Sequence, residues 1–193
     1  MRSGERRLDD TARRTLLDIA ARSVVHGLEH GTPLPVEADA YPEPLRAPGA
    51  SFVTLRIGGE LRGCIGSLES RRPLVADVAD NAFAAAFRDP RFEPLRADEV
   101  PDVDFHISVL GPAEPLSFTD EADLIRRLRP GIDGLILRAG RQQGTFLPSV
   151  WDSLPQPQDF LRQLKRKAGL PEDYWSDGIQ VWRYETESFP DDH

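Results

Sequence analysis

The chain is short of several things at once. One cysteine among 193 residues rules out an internal disulfide, and such sparing cysteine use suits a reducing compartment. No apolar run approaches the ~20 residues needed to span a bilayer. The basic opening Met1-Arg2-Ser3-Gly4-Glu5-Arg6-Arg7 is followed by no apolar stretch of the secretory kind. The expectation is therefore a cytoplasmic protein with no membrane contact. Basic residues are outnumbered, 24 against 32 acidic ones, for a net charge of −8 and an isoelectric point near 5.0. That balance argues against a general binder of phosphate backbones. The two local basic clusters, Arg126-Arg127-Arg129 and Arg162-Lys165-Arg166-Lys167, read as solvated helix faces. Neither GxGxxG nor GxxxxGK[ST] follows a strand pattern, so no phosphate-cradling loop is expected.

What is present is a globular composition: 39% hydrophobic and 29% charged residues. A chain of this length buries a core without disulfides or metals, as one domain or one unit with two lobes. Asp10 and Thr11 offer N-caps to a helix running to about His30. Its apolar stripe is Leu16, Leu17, Ile19, Ala20, Val24 and Leu28, and Gly31 is its stop. His26 and His30 stand four apart on it, a metal-binding spacing, but no acidic residue completes a ligand motif, and no metal site is expected. Residues 32–50 carry Pro33, Pro35, Pro42, Pro44 and Pro48 and form an extended connector, not a helix interior or a central strand.

The clearest local signal follows. Ser51-Phe52-Val53-Thr54-Leu55-Arg56-Ile57 alternates as a strand, and Gly58-Gly59 supplies the positive φ of a tight hairpin turn. The return strand, residues 60–66, places Leu61, Gly63 and Ile65 on one face and Arg62, Cys64 and Gly66 on the other. Pro73 opens a helix to about Phe87, whose many alanines predict close packing on a sheet; Asn81 is a polar residue within it. Arg88-Asp89-Pro90-Arg91-Phe92 ends it, because the residue before proline is forced extended. Strands are predicted at 103–110, 134–139, 144–147 and 179–185, and helices at 120–128 and 158–168. His106 shares a strand face with Asp104 and Ser108 and reads more readily as half-exposed and polar than as a base. The irregular interleaving and the hairpins favour an α+β fold, a largely antiparallel sheet flanked by helices.

Leu61-Arg62-Gly63-Cys64-Ile65-Gly66 is the candidate site. Arg62 would stabilise a Cys64 thiolate or hold an anionic substrate. Gly63 and Gly66 would leave room for a ligand against the backbone. Asn81, Asp89 and Arg91 would complete the site if the helix end folds back over the hairpin. The bland alternative is a cysteine that serves as a small buried hydrophobe.

This hexamer, then Asp89-Pro90-Arg91-Phe92, Ile107-Ser108-Val109-Leu110, Gly134-Leu135-Ile136-Leu137, Thr145-Phe146-Leu147-Pro148, and Lys167-Ala168-Gly169-Leu170 before Trp175 resemble, in that order, the AMMECR domain family. The likeness runs from about Leu16 to Phe189. One departure is Ser149, where relatives often carry glutamine. The resemblance implies a single AMMECR-like domain over about residues 10–189, with two subdomains and no cofactor established as its own. Bacterial and archaeal members are often named AmmeMemoRadiSam system protein A, which implies a Memo-like protein and a radical SAM enzyme as partners. Three readings stand. The chain is a docking component of such a system, an enzyme using Cys64 as nucleophile or acceptor, or a regulatory nucleic-acid-associated protein. The absence of a complete catalytic constellation favours the first, and the acidic isoelectric point disfavours the third.

Overall fold

The computed structural model describes residues 8–191; the basic opening, residues 1–7, lies outside the described residues. In chain order the elements are α1 (Asp10–His30), β1 (Pro48–Gly49), β2 (Ser51–Ile57), β3 (Glu60–Gly66), β4 (Arg72–Pro73), α2 (Leu74–Phe87), β5 (Val103–Leu110), β6 (Glu114–Pro115), α3 (Glu121–Arg127), β7 (Gly134–Ala139), β8 (Gln142–Phe146), α4 (Pro157–Lys167), β9 (Gln180–Tyr184) and β10 (Thr186–Phe189). This is the expected mixture of helices and antiparallel sheet. It forms two compact units, one up to Leu110 plus the segment from Glu187, the other Gly111–Thr186.

In the first unit a four-stranded sheet runs β10-β5-β2-β3, beside a small β1-β4 ribbon. The α1 helix starts one residue earlier than the sequence suggests: the Asp9 side chain accepts from the Ala12 N–H at 2.7 Å. It stops where Gly31 takes φ 73°. Its apolar stripe meets α2, and α2 in turn lies on β2 and β3. Leu16, Ile19, Val24, Val53, Leu55, Val75, Val78 and Ile107 are fully buried in this core, each worth about 1.5–3 kcal/mol of transfer free energy. The alanines of α2 allow this approach. Gly27 of α1 does the same from the other side, since a Cβ there would strike the rings of Phe83 and Phe87. The Ser23 hydroxyl donates to the Ala79 carbonyl at 2.7 Å, so the buried helix contact carries no orphaned polar group.

The second unit has a sheet in the order β6-β9-β7-β8. Leu135, Leu137 and Val181 form its core with Trp151 and with Phe160, Leu161 and Leu164 of α4. The strand expected at 179–185 is β9, and a further strand, not expected from the sequence, follows it. β9 ends at Tyr184, and β10 joins the sheet of the first unit. No alternation in the sequence marks this further strand; its pairing with β5 defines it.

Candidate functional site

The site begins with the hairpin. Gly58 and Gly59 have φ of 60° and 83°, which an L side chain rarely adopts, and they turn the chain straight back. The pairing then slips: Leu55 faces Gly63 but Arg56 faces Leu61, so one extra residue is accommodated in β3. The bulge breaks the simple alternation. Leu61 does not join Gly63 and Ile65 in the core but is 41% exposed. From Gly63 onward the expected alternation holds. Gly63 and Ile65 pair with Leu55 and Val53, while Cys64 and Gly66 pair with Thr54 and Phe52.

The two glycines do not leave space for a ligand. A Cβ on Gly63 would overlap the carbonyl oxygen of Ala85 in α2, and one on Gly66 would overlap the ring of Phe52. Both absences of a side chain are filled by the protein itself.

Cys64 is half-buried. The Thr54 hydroxyl donates to its sulfur at 3.2 Å. On the far side of Thr54, β5 places His106 in register. A row of thiol, hydroxyl and imidazole therefore crosses three adjacent strands, each neighbouring pair about 4.5–5.5 Å apart at Cα. The sequence puts His106 forty-two residues from Cys64, and only the strand register brings the two into one row.

Asp89 is the organising group. Its side chain is 2% exposed. It accepts from the Cys64 N–H at 2.9 Å, from the Arg91 N–H at 3.1 Å and from two guanidinium nitrogens of Arg91 at 3.0 and 2.8 Å. The Arg91 side-chain hydrogen bonds come first among the causes that hold its carboxyl far below the usual carboxylate range, against the opposing effect of burial. Arg91 also reaches toward the Cys64 carbonyl, at 3.5 Å. The helix end does fold back over the hairpin, through Asp89 and Arg91.

Arg62 is engaged elsewhere. It forks onto Glu99 with two hydrogen bonds of 3.1 Å, and Glu99 also accepts from the Arg96 N–H at 2.8 Å. Led by the Arg62 bonds, these contacts hold the Glu99 carboxyl down at about 2. The Phe92 ring lies near both guanidinium groups, with Cζ to centroid distances of 5.9 Å for Arg62 and 5.4 Å for Arg91. The cation at the Cys64 backbone is thus Arg91, and Glu99, which the sequence did not single out, neutralises Arg62. Its position in the Ala97–Asp102 3-10 turn carries no motif that could have flagged it.

Asn81 belongs to a different cluster. Its amide donates to the Ser51 carbonyl at 3.0 Å, to Asp77 at 3.0 Å and to the Ser67 hydroxyl at 3.2 Å. Asp77 in turn accepts from the Ser51 N–H and hydroxyl and from Arg72. This buried knot ties the start of β2 to α2. His26 and His30 stack at 4.3 Å between ring centroids, with His26 Nδ1 2.9 Å from the Thr32 carbonyl. Among the described residues, no group of three or more His, Cys, Asp or Glu is arranged to hold a metal. A groove of about 360 Å³ beside α1, between Arg14, Asp18, Arg22 and Tyr41, is lined by none of the candidate-site residues.

Among the described residues, no helix is long and apolar enough to cross a membrane. The sequence profile of the AMMECR1 family matches residues 17–189. A protein of Methanothermobacter thermautotrophicus is 37% identical over 185 residues, covering 93% of this chain and 94% of its own length. A protein of Thermotoga maritima is 33% identical, covering 88% and 94%. The crystal structure of an uncharacterised protein from Pyrococcus horikoshii superposes with a TM-score of 0.82 at 31% identity, covering 90% of this chain and 88% of that one. The order of motifs, the fold and these relatives agree: the chain belongs to the AMMECR1 family.

Proposed function

We propose that this chain is a docking component of an AmmeMemoRadiSam-type system, meeting a Memo-like protein and a radical SAM enzyme through the surface built by Leu61–Gly66 and Asp89–Phe92. One observation carries this reading: Asp89 fastens the strand and the turn into a single preorganised unit, with its carboxylate shared between the Cys64 N–H and Arg91. A rigid surface with its ion pairs already made loses little entropy on association. Leu61, 41% exposed, and Arg91, with a side chain 56% exposed, supply the apolar and charged contacts. The filled glycine positions favour a protein surface over a small-molecule cleft. Co-purification of the tagged full chain with each of the two proteins tests it. A stable complex with at least one is expected; no complex with either, at concentrations where transient partners associate, contradicts it.

The row of Cys64, Thr54 and His106 supports a second reading, an enzyme in which Cys64 is the nucleophile and His106 takes up or returns a proton. Alkylation with iodoacetamide tests this: the sulfur forms a bond to carbon and iodide leaves. The native thiol is expected to react and His106→Gln to change the pH dependence of the rate. A thiol inert in the native protein sinks this reading and leaves the docking one untouched.

A further inference from the structure

β3 is the outermost strand of its sheet, with β2 on one side only. An outer strand presents backbone N–H and C=O groups that form a template for another strand. At Cys64 both groups are met, and not by backbone. The N–H donates to the Asp89 carboxylate at 2.9 Å, and the C=O faces an Arg91 guanidinium N–H at 3.5 Å. A carboxylate stands where a neighbouring strand would place its carbonyl, and a guanidinium stands where that strand would place its amide. Pro90, between them, ends α2 and turns the chain so that both side chains return to the same residue.

We infer that Asp89 and Arg91 form an edge cap that keeps β3 from pairing, strand to strand, with a second copy of this chain. The stronger bond is the one from Asp89, whose side chain is 2% exposed and is held as an anion by four N–H contacts. Leu61, exposed on the same strand, would add an apolar contact to any such pair, so an uncapped β3 edge is adhesive. The cap acts on the backbone and leaves the outer part of Arg91 accessible. It needs no partner protein, so it stands or falls apart from the docking proposal.

The test is sedimentation velocity of the full chain over a wide concentration range, with amide hydrogen exchange at Cys64 as a second readout. In the double variant Asp89→Ala/Arg91→Ala, exchange at Cys64 is expected to be about tenfold or more faster than in wild type in dilute solution. At high concentration a larger species absent from wild type is expected, with the Cys64 amide protected again. A double variant that exchanges faster but sediments like wild type at every concentration overturns the inference. So does a wild-type Cys64 amide that exchanges as fast as the variant's. If the double variant does not fold, Asp89→Ala alone takes its place, since it removes the stronger of the two bonds at Cys64 and leaves Arg91 in place. It is expected to gain the same species at higher concentration, and sedimentation unchanged from wild type overturns the cap.

Discussion

In β3, Gly63 lies beneath the Ala85 carbonyl of α2; in β8, the outer strand of the second unit, Gly144 lies beneath Ala168 at the end of α4, where a Cβ would come within 2.9 Å of the backbone nitrogen. Both units thus set a helix close on an edge strand through a missing side chain. They differ in what the surrounding polar groups do. Around β8 and α4 these groups close on the scaffold. Gln142 donates to the Gly169 carbonyl at 2.8 Å, and Lys165, 1% exposed, donates to Glu121 at 2.7 Å. Around β3 they converge on one residue that carries a thiol, and leave an arginine largely in solvent. Glycine in an edge strand therefore marks architecture in both units, and convergence of polar groups on Cys64 is what separates a candidate site from a scaffold.

The largest effect expected is on Gly63→Ala. Its Cβ meets backbone that cannot move aside, so a loss of about 3 kcal/mol or more is predicted in urea unfolding. Gly144→Ala meets looser contacts and is predicted to cost about 1–3 kcal/mol. A reversed ranking would break the comparison. Next comes Glu121→Gln, which leaves the Lys165 ammonium without its carboxylate. With Glu121 itself partly exposed, about 2 kcal/mol is expected, with no change in thiol reactivity. A change in the alkylation rate of Cys64 would show that the second unit is more than scaffold.

Acid titration sharpens the comparison from the other side. The Glu99 carboxyl is depressed to about 2 when folded and lies near 4.3 when unfolded. Its contribution is fully present above the unfolded value and is lost as pH falls through the folded one. Asp89, depressed further, acts in the same direction and is lost at still lower pH. Unfolding midpoints measured between neutral pH and about pH 2 are expected to fall less steeply in Glu99→Gln than in wild type; an identical slope would remove the Arg62–Glu99 pair from the account. The smallest effect is on Tyr184→Phe. Burial pushes this phenol up to about 12, and its hydroxyl donates to the Phe146 carbonyl at 3.1 Å. About 1 kcal/mol is expected from the lost bond in urea unfolding, and a midpoint unchanged from wild type would remove the Tyr184 hydrogen bond from the account.

Local features of the fold were legible in the sequence. The Gly58-Gly59 turn, the alternation of 51–57 and 103–110, the alanine-rich helix and its stop before Pro90 all follow from rules that act over a few residues. What was hidden depends on pairing between distant segments. The bulge at Leu61 and Arg62 shows only in the register of β3 on β2. Glu99 reaches Arg62 from a turn without a motif, and His106 joins Cys64 only through the register of β5 on β2. Asp89 and Arg91 lie against the cysteine motif, Asn81 lies in the Ser51–Asp77 cluster instead, and the Cβ positions of the two glycines meet Ala85 of α2 and Phe52.

The most direct test of the proposed docking surface is a binding titration of the full chain against a Memo-like protein, comparing wild type with Leu61→Asp and Arg162→Ala. Leu61→Asp puts a charge at the exposed tip of the surface and leaves the Asp89–Arg91 cap in place; Arg162 lies on α4 in the other unit. The account predicts that Leu61→Asp weakens binding about tenfold or more while Arg162→Ala leaves it within about twofold. Equal affinities for all three proteins, or a larger loss with Arg162→Ala, would contradict it.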